Sequence, residues 1–335
     1  MTYVDGRLKA AKAASRARRA ANKKRGDNKP YRRVRARPIE PGMRYMVTRR
    51  TLERRMFLLP DNETAADVER FLGYTLGVAL MEHGQQLHAV MTMSNHHHTN
   101  VTDVEATLPA FKNTFHAFVA RGINARRGRF DGFWSADPPC DVQQLTDEET
   151  LKDIVYTYTN PVEAGLVKRV RGWPGFSTYG WKFGEVRRYR RPAWFYDPAN
   201  PDLPESVEIT LVRPDIFPEL SNDALWELIQ HRVGEREREI HAEMAKKGRR
   251  FMGTKKLMKQ RWNRAAKSRE ERFTLTPKVS STCKWARIAH LERNEEWERD
   301  YAAAREKKLE GKNPLFPYGT YWMGRFAGAR VAAAP

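Results

Sequence analysis

Leu87-His88-Ala89-Val90-Met91-Thr92-Met93-Ser94-Asn95-His96-His97-His98-Thr99-Asn100-Val101-Thr102 is the stretch on which the fold of this chain turns. It reads as a strand from Leu87 to Thr92, followed by a second extended piece from Thr99 to Thr102 that either continues the first or lies beside it. Between them, three of the chain's nine histidines form one tripeptide. If that tripeptide is extended, its side chains alternate between faces, so His96 and His98 point one way and His97 the other. Two imidazoles at i and i+2 of one strand can share a metal ion. The plain alternative is a histidine cluster on a surface loop.

Working outward, Met43 to Thr48 reads as an earlier strand and Thr64 to Glu82 as a helix. Thr64 is its expected N-cap, and Val68, Phe71, Leu72 and Leu76 recur at helical spacing. Leu108 to Arg126 reads as a second amphipathic helix with Phe111, Phe115, Phe118 and Val119 on one side, and Asp147 to Ala164 as a third. Strands alternating with helices predict a compact mixed α/β domain over about 43–185.

The third helix carries Tyr156-Thr157-Tyr158-Thr159-Asn160-Pro161-Val162-Glu163-Ala164-Gly165-Leu166-Val167. Residues four apart on a helix share a face, which stacks Tyr156 on Asn160. Tyr158 lies about 200° around the axis from Tyr156, so the two cannot serve one site. The Asn-Pro step predicts a break or kink near residue 160.

Composition narrows the partner. Of 335 residues, 61 are Lys or Arg and 41 Asp or Glu, a formal net charge of +20. An excess of that size suits a polyanion, because each neutralised phosphate releases counterions. No stretch approaches the ~20 apolar residues of a membrane span, and no apolar signal-peptide core opens the chain. Cys140 and Cys283 are the only cysteines and form no Cys-x-x-Cys pattern, which argues against a disulfide framework or a zinc knuckle. The cytoplasm, beside the nucleoid, is the expected location.

Residues 1–37 form a basic, Ala-rich arm without the apolar residues for a core, expected to be disordered as a solvated tail or a DNA-binding arm. Residues 186–204 are Pro- and Arg-rich and read as a linker, and 205–335 as a mainly helical, charged extension. The arm and the extension are expected to tune affinity for DNA, since every candidate for chemistry lies between residues 96 and 160.

Taken together, the motifs resemble a known family. Asn95-His96-His97-His98 resembles the Asn-His-x-His signature of the HUH single-tyrosine transposases. NPVEAGLV is similar to the tyrosine-helix signature of their REP-associated branch, in which a tyrosine precedes Asn-Pro by four residues, as Tyr156 does. Lesser matches are Met46-Val47-Thr48-Arg49-Arg50, Gly132-Phe133-Trp134 and Trp173-Pro174-Gly175-Phe176-Ser177-Thr178-Tyr179, so the resemblance covers roughly 40–185. Three features depart from the pattern: His97 stands at a usually apolar position, Glu163 replaces a common basic residue, and Ser135-Ala136 stands where Gln-Gly-Arg is usual.

The resemblance implies an α+β fold, a ferredoxin-like βαββαβ sandwich over 38–185 with the histidines on a central strand and the tyrosine on a facing helix. It implies Tyr156 as nucleophile and His96, His98 and Asn160 as ligands of Mg²⁺ or Mn²⁺, acting on single-stranded or hairpin DNA through a 5′-phosphotyrosine. Arg49, Arg50, Arg54 and Arg55 are candidate DNA contacts, with Lys112 and His116 as weaker ones. Two alternatives stay open. One is an inactive or domesticated nucleic-acid-binding protein on the same fold, and the other a replication-initiator or relaxase type of endonuclease, whose paired tyrosines Tyr156 and Tyr158 do not match. Whether the chain forms a homodimer is also open.

Overall fold

Met43–Arg50 forms the first strand, β1, with Tyr45 and Val47 buried and the residues between them less so. The computed structural model describes residues 36–60, 65–195, 202–267 and 277–335. The expected cap Thr64 and all but the last two residues of the basic arm lie outside the described residues. After β1 come helix α1 (Ala65–His83), strands β2 (Gln85–Thr92) and β3 (His96–Asp103), helix α2 (Leu108–Arg126), strand β4 (Cys140–Gln144) and helix α3 (Asp147–Glu163).

The sheet order is β2-β3-β1-β4, antiparallel at each contact. Each of α1 and α2 therefore joins two parallel strands separated by a third, which makes two interleaved βαβ units and an α+β sandwich. The two helices pack on each other. Phe71 of α1 and Phe111 and Phe115 of α2 are fully buried with Leu87 and Val101 of the sheet, each large apolar side chain stabilising by roughly 1.5–3 kcal/mol. Strand β3 begins at His96 itself, so the histidine triplet is paired in the sheet and does not lie on a loop.

Helix α3 starts at Thr146, whose hydroxyl accepts from the Glu149 N–H, with Asp147, Glu148 and Glu149 in the first turn. The break expected at Asn160-Pro161 does not occur: the helix runs through Pro161 to Glu163. Proline near a C-terminus costs little more than the bond its missing N–H would make to residue 157. The end is then closed by Gly165, at φ 71°, with Leu166 N–H donating to the Pro161 carbonyl and Gly165 N–H to that of Val162.

Residues 186–204 are not simply a linker. Val186–Arg190 is a strand, β5, paired antiparallel with β6 (Ser206–Thr210). Tyr189 of β5 and Val207 and Ile209 of β6 are buried, and the Tyr189 ring lies where a side chain at Gly73 of α1 would be, 2.3 Å from an added Cβ. Arg187, Arg188 and Arg190 around the buried tyrosine are exposed.

Beyond β6 the chain is mainly helical: α4 (Asn222–Lys246), α5 (Thr254–Met258), α6 (Lys284–Leu309) and α7 (Trp322–Phe326). Strand β7 (Val279–Ser280) adds parallel to β4 as a fifth strand, and β8 (Leu315–Phe316) pairs with β9 (Arg330–Val331). Residues 37–335 form one compact unit, and Ile209, Trp226 and Ile229 belong to the same core as Tyr158 and Val90. Among the described residues no helix is long and apolar enough to cross a membrane.

Candidate active site

The register of β1 on β3 sets His98 opposite Thr48, His97 opposite Arg49 and His96 opposite Arg50. Paired residues share a face, so the triplet sorts its neighbours into two groups. On one face His96 and His98 lie edge to face with ring centroids 4.9 Å apart. His98 also meets the Tyr156 ring at 5.2 Å, and the His96 Nε2 is 3.2 Å from the Asn160 Oδ1. Helix α3 thus crosses this face, and His96, His98, Tyr156 and Asn160 come together.

On the other face His97 is buried among Phe115, His116 and Trp134, with its Nε2 2.9 Å from the Nε2 of His116 and its Nδ1 2.9 Å from the Thr99 hydroxyl. Arg49 also lies on this side, its guanidinium 5.2 Å from the Trp134 ring centre. Lys112 is paired with Asp141. The structure therefore does not bring Arg49, Lys112 or His116 to the tyrosine. Arg50 and Arg54 do lie close enough to His96 for their charges to oppose its protonation. Arg55 is paired with Glu53 at 2.7 Å.

Two side chains that the motifs contain, but to which the sequence reading gives no role, orient the histidines. Asn95 donates its Nδ2 to the Arg54 carbonyl at 3.1 Å, which leaves its Oδ1 to accept from the Nδ1 of His96 at 2.7 Å. Thr48 holds the Nδ1 of His98 at 2.9 Å. Burial, the charge of Arg50 and then that of Arg54 push the His96 pKa down to about 4, against the Asn160 contact. Burial, then His96, His97 and Arg50, hold His98 well below the ordinary range. Both rings are neutral at pH 7, each with one N–H. With Nδ1 of His96 donating to Asn95, its Nε2 presents a lone pair. The Nε2 of His98 is buried without a hydrogen-bond partner.

Two imidazole rings and one amide oxygen thus come together: the His96 Nε2 faces the Asn160 Oδ1, and the His98 ring, its Nε2 unpartnered, lies beside them. An orphaned buried acceptor and two acceptors facing each other fit a cation and are costly without one. Imidazole and amide donors suit Mn²⁺, and Mg²⁺ with retained waters. Among the described residues there is no group of three His, Cys, Asp or Glu side chains set for a metal, and the further oxygen that faces the His96 ring is the amide Oδ1 of Asn160.

Tyr156 is 39 % exposed, while Asn160 beneath it is 8 % exposed. Burial and the charge of Glu163 raise the Tyr156 pKa, against a hydrogen bond from Asn160 and the charge of Arg50, which favour the phenolate. Tyr158 is fully buried, and its hydroxyl is 3.1 Å from that of Thr178. The helix is held to the sheet by Gln144, which donates to Asn100 at 2.9 Å and to Asp153 at 3.0 Å, and by Asn100 donating to Thr157 at 2.7 Å.

No protein-family model matches the sequence, and no curated protein matches it. Among solved structures the chain is similar to a REP-associated tyrosine transposase bound to a REP hairpin, at 18 % identity, covering 45 % of this chain and 82 % of that one with a TM-score of 0.35. It is also similar to a candidate transposase from Deinococcus radiodurans R1, at 18 % identity, covering 30 % of this chain and 76 % of that one with a TM-score of 0.25.

Proposed function

We propose that this chain is a metal-dependent, single-tyrosine DNA strand transferase of the transposase type. The observation that carries the reading is the convergence of the His96 and His98 Nε2 atoms with the Asn160 Oδ1 beside the half-exposed Tyr156 ring. The motif resemblance names the same four residues independently of that geometry.

In this reading His96, His98 and Asn160 hold Mg²⁺ or Mn²⁺, which when bound withdraws charge from a phosphodiester and orients it for in-line attack. The Tyr156 oxygen attacks phosphorus, its proton passing to solvent at the exposed edge of the ring. The bond from phosphorus to the 3′ oxygen breaks, and that oxygen leaves and takes up a proton as a 3′-hydroxyl. The 5′-phosphotyrosine keeps the bond energy, so another 3′-hydroxyl can reverse the step and join a strand. Asn160 serves twice, with its oxygen toward the cation and its N–H toward the Tyr156 oxygen.

The test is denaturing electrophoresis of the full chain mixed with Mn²⁺ and labelled, hairpin-flanked single strands. A labelled adduct on the unmodified chain, absent from Tyr156→Phe, supports the reading. An adduct that maps to another residue overturns the assignment. Binding with no adduct from any strand favours a non-catalytic nucleic-acid-binding protein.

A further inference from the structure

The extension holds an unusual run at 244–267, MAKKGRRFMGTKKLMKQRWNRAAK, with ten Lys or Arg and no Asp or Glu. All ten cations are exposed. Elsewhere on the extension acids and bases alternate, as along α6, so the run stands out from a generally basic surface.

Its later part, 252–267, is also fixed in place at both ends. At one end Met252 and Gly253 donate backbone N–H groups to the carbonyls of Gly165 and Leu166, each at 2.9 Å, and the Thr254 hydroxyl donates to the Gly172 carbonyl at 2.9 Å. That end is the C-terminus of α3, the helix of Tyr156 and Asn160. At the other end Met56 donates to the Arg264 carbonyl at 2.8 Å, Ala266 to that of Arg54 at 3.2 Å, and Arg55 to that of Asn263 at 3.1 Å. That end is the corner where the Arg54 carbonyl also receives Asn95, which orients His96. Between the anchors Leu257 is fully buried, and the Trp262 ring sits 6.1 Å from Phe57. The apolar side chains turn inward and the charges face water.

We propose that residues 244–267 are an ordered phosphate-binding track that guides single-stranded DNA between the two ends of the candidate active site. This rests on the function proposed above. Closely spaced like charges on exposed backbone repel one another, and a partner that brings its own row of negative charges relieves that repulsion. A single strand is such a partner, and an anchored track gives it one path where a loose basic tail would give many.

The experiment measures binding of a labelled single-stranded oligonucleotide by the full Tyr156→Phe chain over a range of salt, so that no covalent step enters. Two variants are compared, Lys255→Gln/Lys256→Gln/Lys259→Gln on the track and Arg305→Gln/Lys307→Gln/Lys312→Gln at the C-terminal end of α6 and just past it. Each phosphate contact contributes about 0.7 to the slope of log affinity against log salt for single strands. The track variant is expected to lose about two from that slope and to bind more weakly, and the α6 variant to keep the parent slope. Equal slopes for parent and track variant, or equal losses in both variants, overturn the track. Tighter binding of the matching duplex with the same dependence on the three lysines overturns its assignment to single strands. Failure of the enzymatic reading shows separately, as absence of an adduct with the unmodified chain.

Discussion

The Nε2 of His96 and the Oδ1 of Asn160 face each other at 3.2 Å with no hydrogen to share. The one N–H of the neutral ring is already given to Asn95, and the Asn160 amide hydrogens sit on the other side of its carbon, toward Tyr156. With the amide oxygen toward the ring, such a contact is a hydrogen bond only if His96 is doubly protonated, which its burial and its arginine neighbours oppose. Turning the amide over would make one but would take the Asn160 N–H away from Tyr156. The cation proposed above would sit between the two acceptors, and this gives the first prediction. His96→Ala and His98→Ala are each expected to abolish Mn²⁺ binding, read as the free-ion signal in electron paramagnetic resonance. His97→Ala is expected to bind Mn²⁺ as the parent does. It should instead melt earlier, because it leaves a cavity and an unpaired His116 nitrogen, a cost of about 1–3 kcal/mol. Loss of Mn²⁺ binding in His97→Ala would sink the two-face assignment.

The second prediction concerns ring orientation. Thr48 holds the Nδ1 of His98 in place, as Asn95 does that of His96. Removing such a support typically weakens metal binding about 10–100-fold. Thr48→Val keeps the shape and removes the hydroxyl, so it should weaken Mn²⁺ binding by that order while Thr48→Ser restores it. If valine and serine behave alike at this position, the hydroxyl has no orienting role.

Much of this was legible in the sequence, for a physical reason in each case. Alternation along a strand separates His96 and His98 from His97 whatever surrounds them, and the helical repeat separates Tyr156 from Tyr158. What the sequence does not contain is register. Thr48 orients His98 and Arg49 turns away from the site only because β1 pairs with β3 at one offset among several, and composition does not encode that offset. The break expected at the Asn-Pro step does not form because Pro161 sits in the last turn, where its missing N–H costs one bond. The linker reading failed because one buried residue, Tyr189, among exposed arginines is too short a pattern to signal a strand.

The third prediction concerns the extension, which shares a core with the helix of Tyr156. Trp226 of α4 lies 6.2 Å from the Tyr158 ring and 5.8 Å from that of Phe183, and Ile209 and Ile229 are fully buried in the same core. A chain ending at residue 190 would expose all of these contacts on the helix that carries Tyr156. It is expected to show no cooperative thermal transition by circular dichroism, whereas the full chain should. A sharp transition in the shortened chain would establish a separable domain.

Tyr158 gives the fourth. Its hydroxyl reaches Thr178, whose own oxygen accepts from the Val90 N–H at 3.0 Å. Tyr158→Phe should therefore cost about 1 kcal/mol of stability in chemical denaturation yet leave the DNA adduct in place. Loss of the adduct with unchanged stability would point to Tyr158 as a participant.

The last prediction is a pH dependence of stability at Asp153, one turn before Tyr156. Burial, with the charge of Glu149 behind it, raises its pKa from 3.8 to about 6, against the hydrogen bond from Gln144 and the charge of Lys152. The folded carboxyl therefore keeps a proton that the unfolded one has lost between about pH 4 and pH 6. Where the folded state binds more protons, stability falls as pH rises, so this group's destabilising contribution grows through that window and is fully present above it. Asp153→Asn has no proton to lose, and its amide oxygen can still accept from Gln144. Relative to the parent, the variant should gain nothing near pH 4 and on the order of 2–3 kcal/mol by pH 7. Urea midpoints at pH 4, 5, 6 and 7 measure the difference. A variant less stable than the parent at pH 7, or a difference that does not change with pH, would show that the carboxylate is held by a favourable partner and that its burial is not what sets its protonation.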